Sequence, residues 1–376
     1  MFFFFFDDDD NKISPHTIKK FELISAYVET WIQKLMNYPV CNGIVYIDCM
    51  SNSGVYHDND GNEIEGTPIR VANIIREAMT HYPNKQAYLY FNDWSKEKID
   101  VLKKRLPENS HNFHIQTSNM DGNDLLRQLG SMLSSDSNLN YLLVYDPYQA
   151  AIDWGALRPF LRTWGEVIIN HMVLDSVRAT KIVKRPEKIE KYENTYLTDI
   201  EELVSFGSDK EAFEKRIEEI IRLLSGSSAR KYYVASFPFF NKMNAVVYNL
   251  IHCTGSIQGF KLYKTTAWKI FGNRSSIKNT HRNDGQLVLR FDEVGQEAVV
   301  TAQTDEYCYC IDDIVRYVQN KFKGRRDVAL NEVWGILDEH PIFPSDGYKK
   351  QIKDGLKVDY GAIESKGKMT FSDRSV

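Results

Sequence analysis

Short apolar runs alternate along the chain with segments whose apolar residues recur every three or four positions. The runs predict buried strands at residues 43–48, 86–93, 113–116, 141–145, 166–172, 232–237 and 245–253. The segments between the early runs have the periodicity of amphipathic helices. Strands that alternate with helices at this spacing predict a mostly parallel sheet with helices on both faces. We therefore expect an α/β fold of the Rossmann-like type.

The same pattern divides the chain into three predicted parts. They are a leader with an N-terminal helix, a Rossmann-like domain and a winged helix-turn-helix, at residues 1–36, 37–305 and 306–376. A helical insertion with many basic residues interrupts the middle part at about 178–230, and two more strand-like runs follow at 286–291 and 297–303. The last part has three helical patterns and then two short strands around a turn, which is the order of elements in a winged helix-turn-helix.

The fourth apolar run ends abruptly in the polar sequence Asp146-Pro147-Tyr148. Open α/β sheets bind ligands at the carboxyl ends of their strands. Asp146 offers an anionic acceptor, Pro147 fixes the backbone, and Tyr148 offers a flat ring for stacking. The pattern therefore predicts a site for an amino group on a flat base. The alternative is an ordinary strand followed by a turn that begins at proline.

Polar residues also follow the first two strands. The first strand ends in a turn of small residues that lets a ligand approach the backbone, and its polar or flexible members are Asp48, Ser51, Asn52, Ser53 and Gly54. Asp93 closes the second strand, where doubly wound nucleotide folds hold a ribose hydroxyl. Asp93 is equally suited to cap the helix that follows. These two strand ends predict a nucleotide-type site beside Asp146.

The charge of the chain restricts where a nucleic acid is able to bind. With 376 residues, a net charge of −4 and a pI near 6.2, the protein is not generally basic, so contacts with nucleic acid must come from local patches. Two candidate patches combine basic residues with aromatic rings or with the third helix of the winged part, and they are Lys261, Lys264, Trp268, Lys269, Phe271 and Arg274, and Lys349, Lys350 and Lys353. The alternatives are a solvated loop for the first patch and a protein-binding winged helix for the second.

Cysteine usage and hydropathy bear on the compartment. The five cysteines form neither an even set nor paired C-x-x-C groups, which predicts a reducing cytoplasm and no structural metal. No window has the roughly 18 apolar residues of a membrane span. We expect a cytoplasmic protein without a membrane partner.

Several of these motifs together resemble the three-Cys-motif partner protein family. The resemblance rests on Ser14-Pro-His-Thr, Tyr46-Ile-Asp-Cys-Met-Ser-Asn-Ser-Gly-Val-Tyr56, Gly66-Thr-Pro68, Asn92-Asp93 and Asp146-Pro-Tyr148. That family is similar to class I methyltransferases that use S-adenosylmethionine (SAM), often ends in a winged helix, and is encoded beside a radical-SAM-like protein with three cysteines. The resemblance covers most of the chain.

The resemblance also implies roles for individual residues. The turn from Asp48 to Gly54 is similar to the cofactor loop, and Asp93 to the ribose ligand. Asn119, Met120 and Asp121 then match the adenine edge, and Asp146, Pro147 and Tyr148 the clamp for the target base. The family favours glycine where this chain has Asn52.

These observations lead to one main hypothesis and two alternatives. The main one is a SAM-dependent methyltransferase that acts on an exocyclic amine of a base in DNA or RNA and works with a three-Cys-motif partner protein. The chain lacks the Pro-Cys nucleophile of ring-carbon methyltransferases, which favours an amine or hydroxyl acceptor. The first alternative, motivated by Asn52, is a catalytically silent scaffold or nucleic-acid-binding subunit of a phage- or defence-related system. The second is a methyltransferase for small molecules or proteins.

Overall fold

A seven-stranded sheet organises the computed structural model, which describes residues 13–58, 60–133, 138–147, 151–161, 164–172, 186–199, 209–226, 231–240, 246–277 and 308–374. All strands of these residues are labelled β1 to β12 in chain order. They are Gly43–Asp48, Val55–His57, Glu63–Glu65, Gln86–Asn92, Phe113–Ser118, Leu139–Tyr145, Glu166–His171, Tyr233–Phe240, Val246–Thr254, Val328–Ala329, Ile363–Ser365 and Lys368–Thr370. The α-helices, labelled α1 to α11 in the same way, are Pro15–Met36, Thr67–Met79, Lys96–Lys103, Gly122–Leu133, Trp154–Leu157, Pro186–Tyr196, Asp209–Ser225, Ile257–Ile270, Ile311–Phe322, Leu330–Asp338 and Lys349–Tyr360.

The large sheet has the strand order β5-β4-β1-β6-β7-β9-β8. Its first five strands in this order are parallel, and β9 runs antiparallel to both of its neighbours. The chain moves outward from β1 to β4 and β5, and then returns to place β6 on the other side of β1. This reversal is the topological switch point at which open α/β sheets bind ligands. The predicted mostly parallel α/β sheet is therefore confirmed.

Helix α1 covers one face of the sheet, as its sequence pattern predicts. Ser14 caps it by accepting a hydrogen bond from the Thr17 N–H, and Pro15 occupies the first turn. Its apolar residues recur every three or four positions, and those that are buried are Phe21, Leu23, Ile24, Tyr27, Val28, Trp31, Ile32 and Met36. All of them except Phe21 belong to one hydrophobic cluster with the sheet residues Tyr46 and Leu142. The helix is thereby fixed over the centre of the sheet.

Residues 311–374, here called the C-terminal unit, contain three helices and a small antiparallel sheet of order β10-β12-β11. The helices and the hairpin agree with the predicted order of elements, and the winged-helix assignment itself stays a prediction. The unit shares the hydrophobic cluster of the large sheet, because Phe343 and Tyr348 pack edge-on against Trp268 of α8. Within the described ranges, no helix is both long and apolar enough to cross a membrane.

Some predictions concern residues outside the described ranges. They are the leader at 1–10, Tyr148, the start of the helical insertion at 178–185, and the strands at 286–291 and 297–303. The predicted domain boundaries stay predictions as well. The remaining part of the insertion does contain two helices, α6 and α7.

Candidate active site

A narrow cleft lies at the carboxyl edge of the sheet, at the switch point between β1 and β6. Its volume is about 40 Å³, room for about three water molecules at roughly 10 to 15 Å³ each. The cleft is lined by residues of α1, α2, the turn after β1 and the strands β1, β2, β6, β7 and β9 or the positions directly after them. They are Lys20, Phe21, Ile24, Asp48, Met50, Ser51, Tyr56, Thr67, Pro68, Val144, Asp146, Asn170 and Leu250. The cleft thus brings together the predicted site residues Asp48, Ser51 and Asp146.

Strand register explains why Asp146 meets its neighbours. Tyr145 of β6 pairs with Ile169 of β7, so the next residues along each strand, Asp146 and Asn170, lie side by side. The Asn170 Nδ2 donates to Asp146 Oδ1 at 2.7 Å, and the Lys20 Nζ donates to Asp146 Oδ2 at 2.9 Å. Both carboxylate oxygens therefore already accept a hydrogen bond. Pro147 is buried directly after this residue.

Asp48 faces the same cleft from the end of β1. It is buried, and burial raises the pKa of its carboxyl to about 7, with the neighbouring Asp146 carboxylate adding to the shift. The Met50 N–H and the Lys20 ammonium act in the opposite direction. A buried carboxyl that titrates near neutral pH, beside a second carboxyl, is typical of functional sites.

The turn after β1 keeps the backbone conformation that glycine would favour. Asn52 has a φ of 55°, in the left-handed region, and its Oδ1 accepts a hydrogen bond from the Ser53 N–H at 2.7 Å. Gly54 also has a positive φ, of 70°, and a Cβ at this position would meet Leu102 and Ile69. Asparagine at position 52 is therefore accommodated, while Gly54 is required by both conformation and packing.

Asp93 braces this turn and does not cap α3. Its Oδ2 accepts from the Asn52 N–H at 3.0 Å, and its Oδ1 accepts from the Ser95 N–H at 2.9 Å. Ser95 is the N-cap, since its side chain accepts from the Lys98 N–H. The capping alternative for Asp93 is therefore wrong. Each carboxylate oxygen can accept a second hydrogen bond, so the ribose role stays open as a prediction.

The residues predicted for an adenine edge surround the ends of β4 and β5. Asn119 donates from Nδ2 to the carbonyls of Asp93 and Trp94, and Asp121 caps α4 by accepting from its first N–H groups. Met120 is half-buried next to them. These contacts fix the backbone and leave the outer faces of Asn119 and Asp121 exposed. Their contact with adenine stays a prediction.

Sequence reasoning did not identify three residues of this edge. Lys20 lies on the apolar face of α1, and a lysine at an apolar helical position was the available signal. Asn170 ends a fully buried strand, where a polar residue needs a partner. Trp94 follows Asp93 directly and is 81% exposed, which is unusual for so large an apolar ring.

The first predicted nucleic-acid patch is wrong for three of its six residues, because the side chains of Lys264, Trp268 and Phe271 are buried along helix α8 and at its C-cap. Trp268 is fully buried and donates from Nε1 to the Ile342 carbonyl at 2.9 Å, and Phe271 is buried as well. The fully buried Lys264 donates to the carbonyls of Leu337, Asp338, His340 and Phe343, at 2.6 to 3.1 Å. None of these three side chains is able to contact a nucleic acid in this structure.

The other predicted basic residues differ in their surroundings. Lys261 is largely buried and pairs with Asp338 and Asp346, so its charge is neutralised, whereas Lys269 and Arg274 are exposed. In the C-terminal unit, Lys349 pairs with Asp346 at 3.1 Å, Lys353 pairs with Glu364 at 2.9 Å, and Lys350 is exposed. A nucleic-acid role for these residues stays a prediction.

The edge residues match the chemical parts of SAM that the resemblance implies. The carboxylate of Asp48 suits a sulfonium or ammonium cation, and Asp93 suits a ribose hydroxyl. The exposed ring of Trp94 and the thioether of Met120 suit the face of a purine. The cleft itself has room only for a small group such as a methyl or an ammonium, so adenosine would lie over the outer edge formed by Asp93 and Trp94.

Comparisons with known proteins found only remote similarity. No family model and no curated protein matches the sequence. Among solved structures, protein LPL1258 from Legionella pneumophila aligns over 66% of this chain and 91% of its own, with 11% identity and a TM-score of 0.39. A loganic acid methyltransferase with S-adenosylhomocysteine (SAH) aligns over 68% and 83%, with 11% identity and a TM-score of 0.30. Human methyltransferase-like protein 13, in complex with SAH, aligns over 66% and 91%, with 9% identity and a TM-score of 0.30. Likeness at this level does not establish what the chain binds, and membership of the three-Cys-motif partner family stays a prediction.

Proposed function

We propose that the chain is a SAM-dependent methyltransferase whose acceptor nitrogen binds at Asp146. The observation that carries the proposal is the cleft at the switch point of the sheet, where Asp48 and Asp146 lie close enough for one carboxylate to raise the pKa of the other. A site with two carboxyl groups suits a cationic cofactor and an amine that must lose a proton. The sheet topology and the Asp93 edge agree with a nucleotide-type cofactor.

The protein's task in such a reaction is chiefly positioning. SAM supplies a methyl group that is already activated. Asn170 holds Asp146 in place. The Asp146 carboxylate accepts a hydrogen bond from the acceptor amine and so directs the lone pair of the amine nitrogen toward the methyl group. Orientation of this kind contributes up to roughly 7 to 11 kcal/mol to a two-reactant step. Asp48, with a pKa of about 7, is suited to take up a proton near neutral pH.

Fewer observations support the nucleic-acid base as acceptor and the protein partner. An exocyclic amine of a base is one acceptor that Asp146 suits, and the exposed Lys350, Lys366 and Lys368 of the C-terminal unit are available for phosphates. Burial of Trp268 and Phe271 removes two of the aromatic side chains that the sequence indicated for stacking, and the third, Tyr148, lies outside the described residues. The three-Cys-motif partner protein rests on the family resemblance alone.

A catalytically silent scaffold is the second candidate function. It is favoured by a specific observation: Lys20 and Asn170 already satisfy both oxygens of Asp146, and Asp93 already holds the Asn52 N–H. A protein that had lost catalysis would retain the sheet as architecture and fill its cleft with its own side chains.

Release of SAH distinguishes the two candidates even when the acceptor has not been identified. Wild-type protein is incubated with SAM and a panel of oligonucleotides, peptides and amines, and SAH is quantified. We expect Asp146→Ala to abolish acceptor-dependent release and to leave SAM affinity within about twofold, because Asp146 contacts the acceptor and not the cofactor. Asp100→Ala, an exposed residue of α3, is the control. Equal SAH release by the wild type and Asp146→Ala would remove Asp146 from the mechanism.

A further inference from the structure

The chain places one of its own primary amines in the cleft. Lys20 projects from α1 with its side chain only 14% exposed, and its Nζ lies 2.9 Å from Asp146 Oδ2 and 5.5 Å from the centre of the Tyr248 ring. Carboxylate and aromatic face together form a favourable environment for an ammonium. An alkylammonium thus occupies the position in which the proposed function places the acceptor nitrogen.

Two further polar atoms in the cleft have no partner among the residues that the structure describes. They are the Asn170 Oδ1 and the Thr67 Oγ1, on side chains of residues that are only 4% and 5% exposed. The orientation of the Asn170 amide is fixed, because the Asp146 carboxylate only accepts hydrogen bonds and so requires Nδ2. Two residues that line the cleft thus carry buried acceptor oxygens without a partner, and a primary ammonium has three hydrogens to donate.

Size and charge suit an alkylammonium. With Lys20 in place, the cleft of about 40 Å³ still has room for an ammonium and its first methylene groups. The Lys20 cation faces two carboxyl groups, Asp48 and Asp146, and ionisation of Asp48 gives the cleft a second negative charge. Of the aromatic residues expected to stack on a base, Trp268 and Phe271 are buried elsewhere, and Tyr148 lies outside the described residues.

We propose that the cleft is a subsite for a primary alkylammonium, and that Lys20 holds the place of the substrate's amine until the substrate displaces it. A lysine side chain and a polyamine share this chemistry. The role of the bound amine as methyl acceptor rests on the proposed function, whereas its binding does not.

In the corresponding transfer step, the ammonium gives one proton to a carboxylate of the cleft, and the nitrogen lone pair forms a bond to the methyl carbon of SAM. The bond between that carbon and sulfur breaks, and its electron pair stays on sulfur in neutral SAH. The product amine carries the methyl group and the positive charge, and the carboxyl proton passes to solvent. Atoms and charges therefore balance without a further reactant.

Chemical rescue of Lys20→Ala tests the subsite without SAM. The substitution removes the atoms of a propylammonium, so propylammonium chloride should restore the lost contacts. We expect it to raise the thermal midpoint of this variant saturably, by about 2 °C or more. Tetramethylammonium chloride, which has the charge but no N–H, and propanol, which has no charge, should give no saturable shift. Lys19→Ala is the matched control, because Lys19 is the next residue of α1 and pairs with Glu22 at the surface.

Several results would overturn the inference. A folded Lys20→Ala protein with no saturable response to propylammonium contradicts it, and so does an equal response to tetramethylammonium. Should Lys20→Ala fail to fold, Lys20→Met keeps the hydrocarbon and loses only the ammonium, and the comparison becomes ammonium chloride against sodium chloride. Titration of the variant with spermidine and with Nα-acetyl-lysine amide, whose side-chain amine is free, then shows whether a polyamine or a lysine side chain binds better.

The test of the alkylammonium subsite and the test of the methyltransferase proposal can succeed or fail independently. If propylammonium rescues the variant and the wild type does not bind SAM, the alkylammonium subsite stands and its role as methyl acceptor is wrong. If SAM binds and propylammonium does not, the methyltransferase proposal stands and the inference about the acceptor is wrong.

Discussion

Asp48 shows how one buried side chain links the stability of the fold to the chemistry of the cleft. Its pKa of about 7 exceeds the ordinary value of 3.8 mainly because burial disfavours the ionised carboxylate. Between about pH 4 and 7, the native protein keeps a proton that the unfolded chain has released. The contribution of Asp48 to stability is therefore fully present below about pH 4 and is lost as the pH rises to about 7.

Replacement of Asp48 by asparagine should remove this pH dependence. At pH 8 we expect Asp48→Asn to be more stable than the wild type by up to about 4 kcal/mol, at ~1.36 kcal/mol per pKa unit. At pH 3 the two proteins should have nearly equal free energies of unfolding, because Asp48 is then protonated in both the native and the unfolded state. Denaturant unfolding at both pH values measures the difference, with Asp100→Asn as an exposed control. The same stability difference at both pH values would contradict this account of Asp48.

At the scale of elements, helix α8 connects the large sheet to the C-terminal unit. Lys264 on this helix donates to four backbone carbonyls of residues 337–343, and its ammonium lies 4.3 Å from the centre of the Phe260 ring. Two of those carbonyls, of Leu337 and Asp338, lie in the last turn of α10, where backbone oxygens lack the usual partners within the helix, and the other two follow it. Lys264 of helix α8 therefore supplies hydrogen-bond donors to the carbonyls at the C-terminal end of helix α10.

Removal of the Lys264 ammonium should weaken this connection severely. Lys264→Met keeps most of the packing but leaves several buried carbonyls without their donor, at a cost of at least about 2 kcal/mol of unfolding free energy. Lys269→Met, on the same helix but exposed, should change the stability by no more than about 0.5 kcal/mol. Chemical denaturation of the two variants checks the expectation, and similar stabilities would mean that the carbonyls find other partners.

The sequence predicted the early elements well and the lysines poorly, and the reason is physical. Strands such as β1 and β6 are continuous apolar runs, so their burial is predictable from the local composition of the sequence. Lys20 and Lys264 lie at apolar positions of helices, where a charge locally indicates a solvated face. Their partners are remote, at a separation of 126 residues for Asp146 and 73 to 79 residues for the carbonyls around Lys264. Only the tertiary structure brings these groups together.

The candidate site was predictable to the same extent. Asp48, Asp93 and Asp146 follow strands, and parallel strands bring their carboxyl ends to one edge. The contacts that define their roles were not predictable, because they depend on register and on α1. The brace between Asp93 and Asn52 and the pair of Asp146 with Asn170 are of this kind.

For the whole molecule, a net charge of −4 repels nucleic acid, so any binding must use local basic patches, and the exposed lysines of the C-terminal unit are one candidate. Neutralising the exposed Lys350, Lys366 and Lys368 by glutamine should lower the slope of log affinity against log salt by about two to three units, since each phosphate contact contributes about 0.9. The double variant Lys349→Gln and Lys353→Gln should change it by less than about one unit, because both lysines already pair with carboxylates. Salt titrations with a labelled duplex compare the variants. Equal slopes, or no binding at low salt, would exclude this surface as a nucleic-acid site.

Calorimetry with SAM tests most directly the central claim that the carboxyl edge of the sheet is a methyltransferase site. We expect saturable heat with a micromolar Kd for the wild type and an unchanged affinity for Asp100→Ala. Asp93→Ala should lose at least about tenfold in affinity, because the ribose hydroxyl loses its acceptor and the turn at Asn52 loses the carboxylate that holds it. No detectable heat from folded wild-type protein at millimolar SAM would contradict the claim and favour the scaffold.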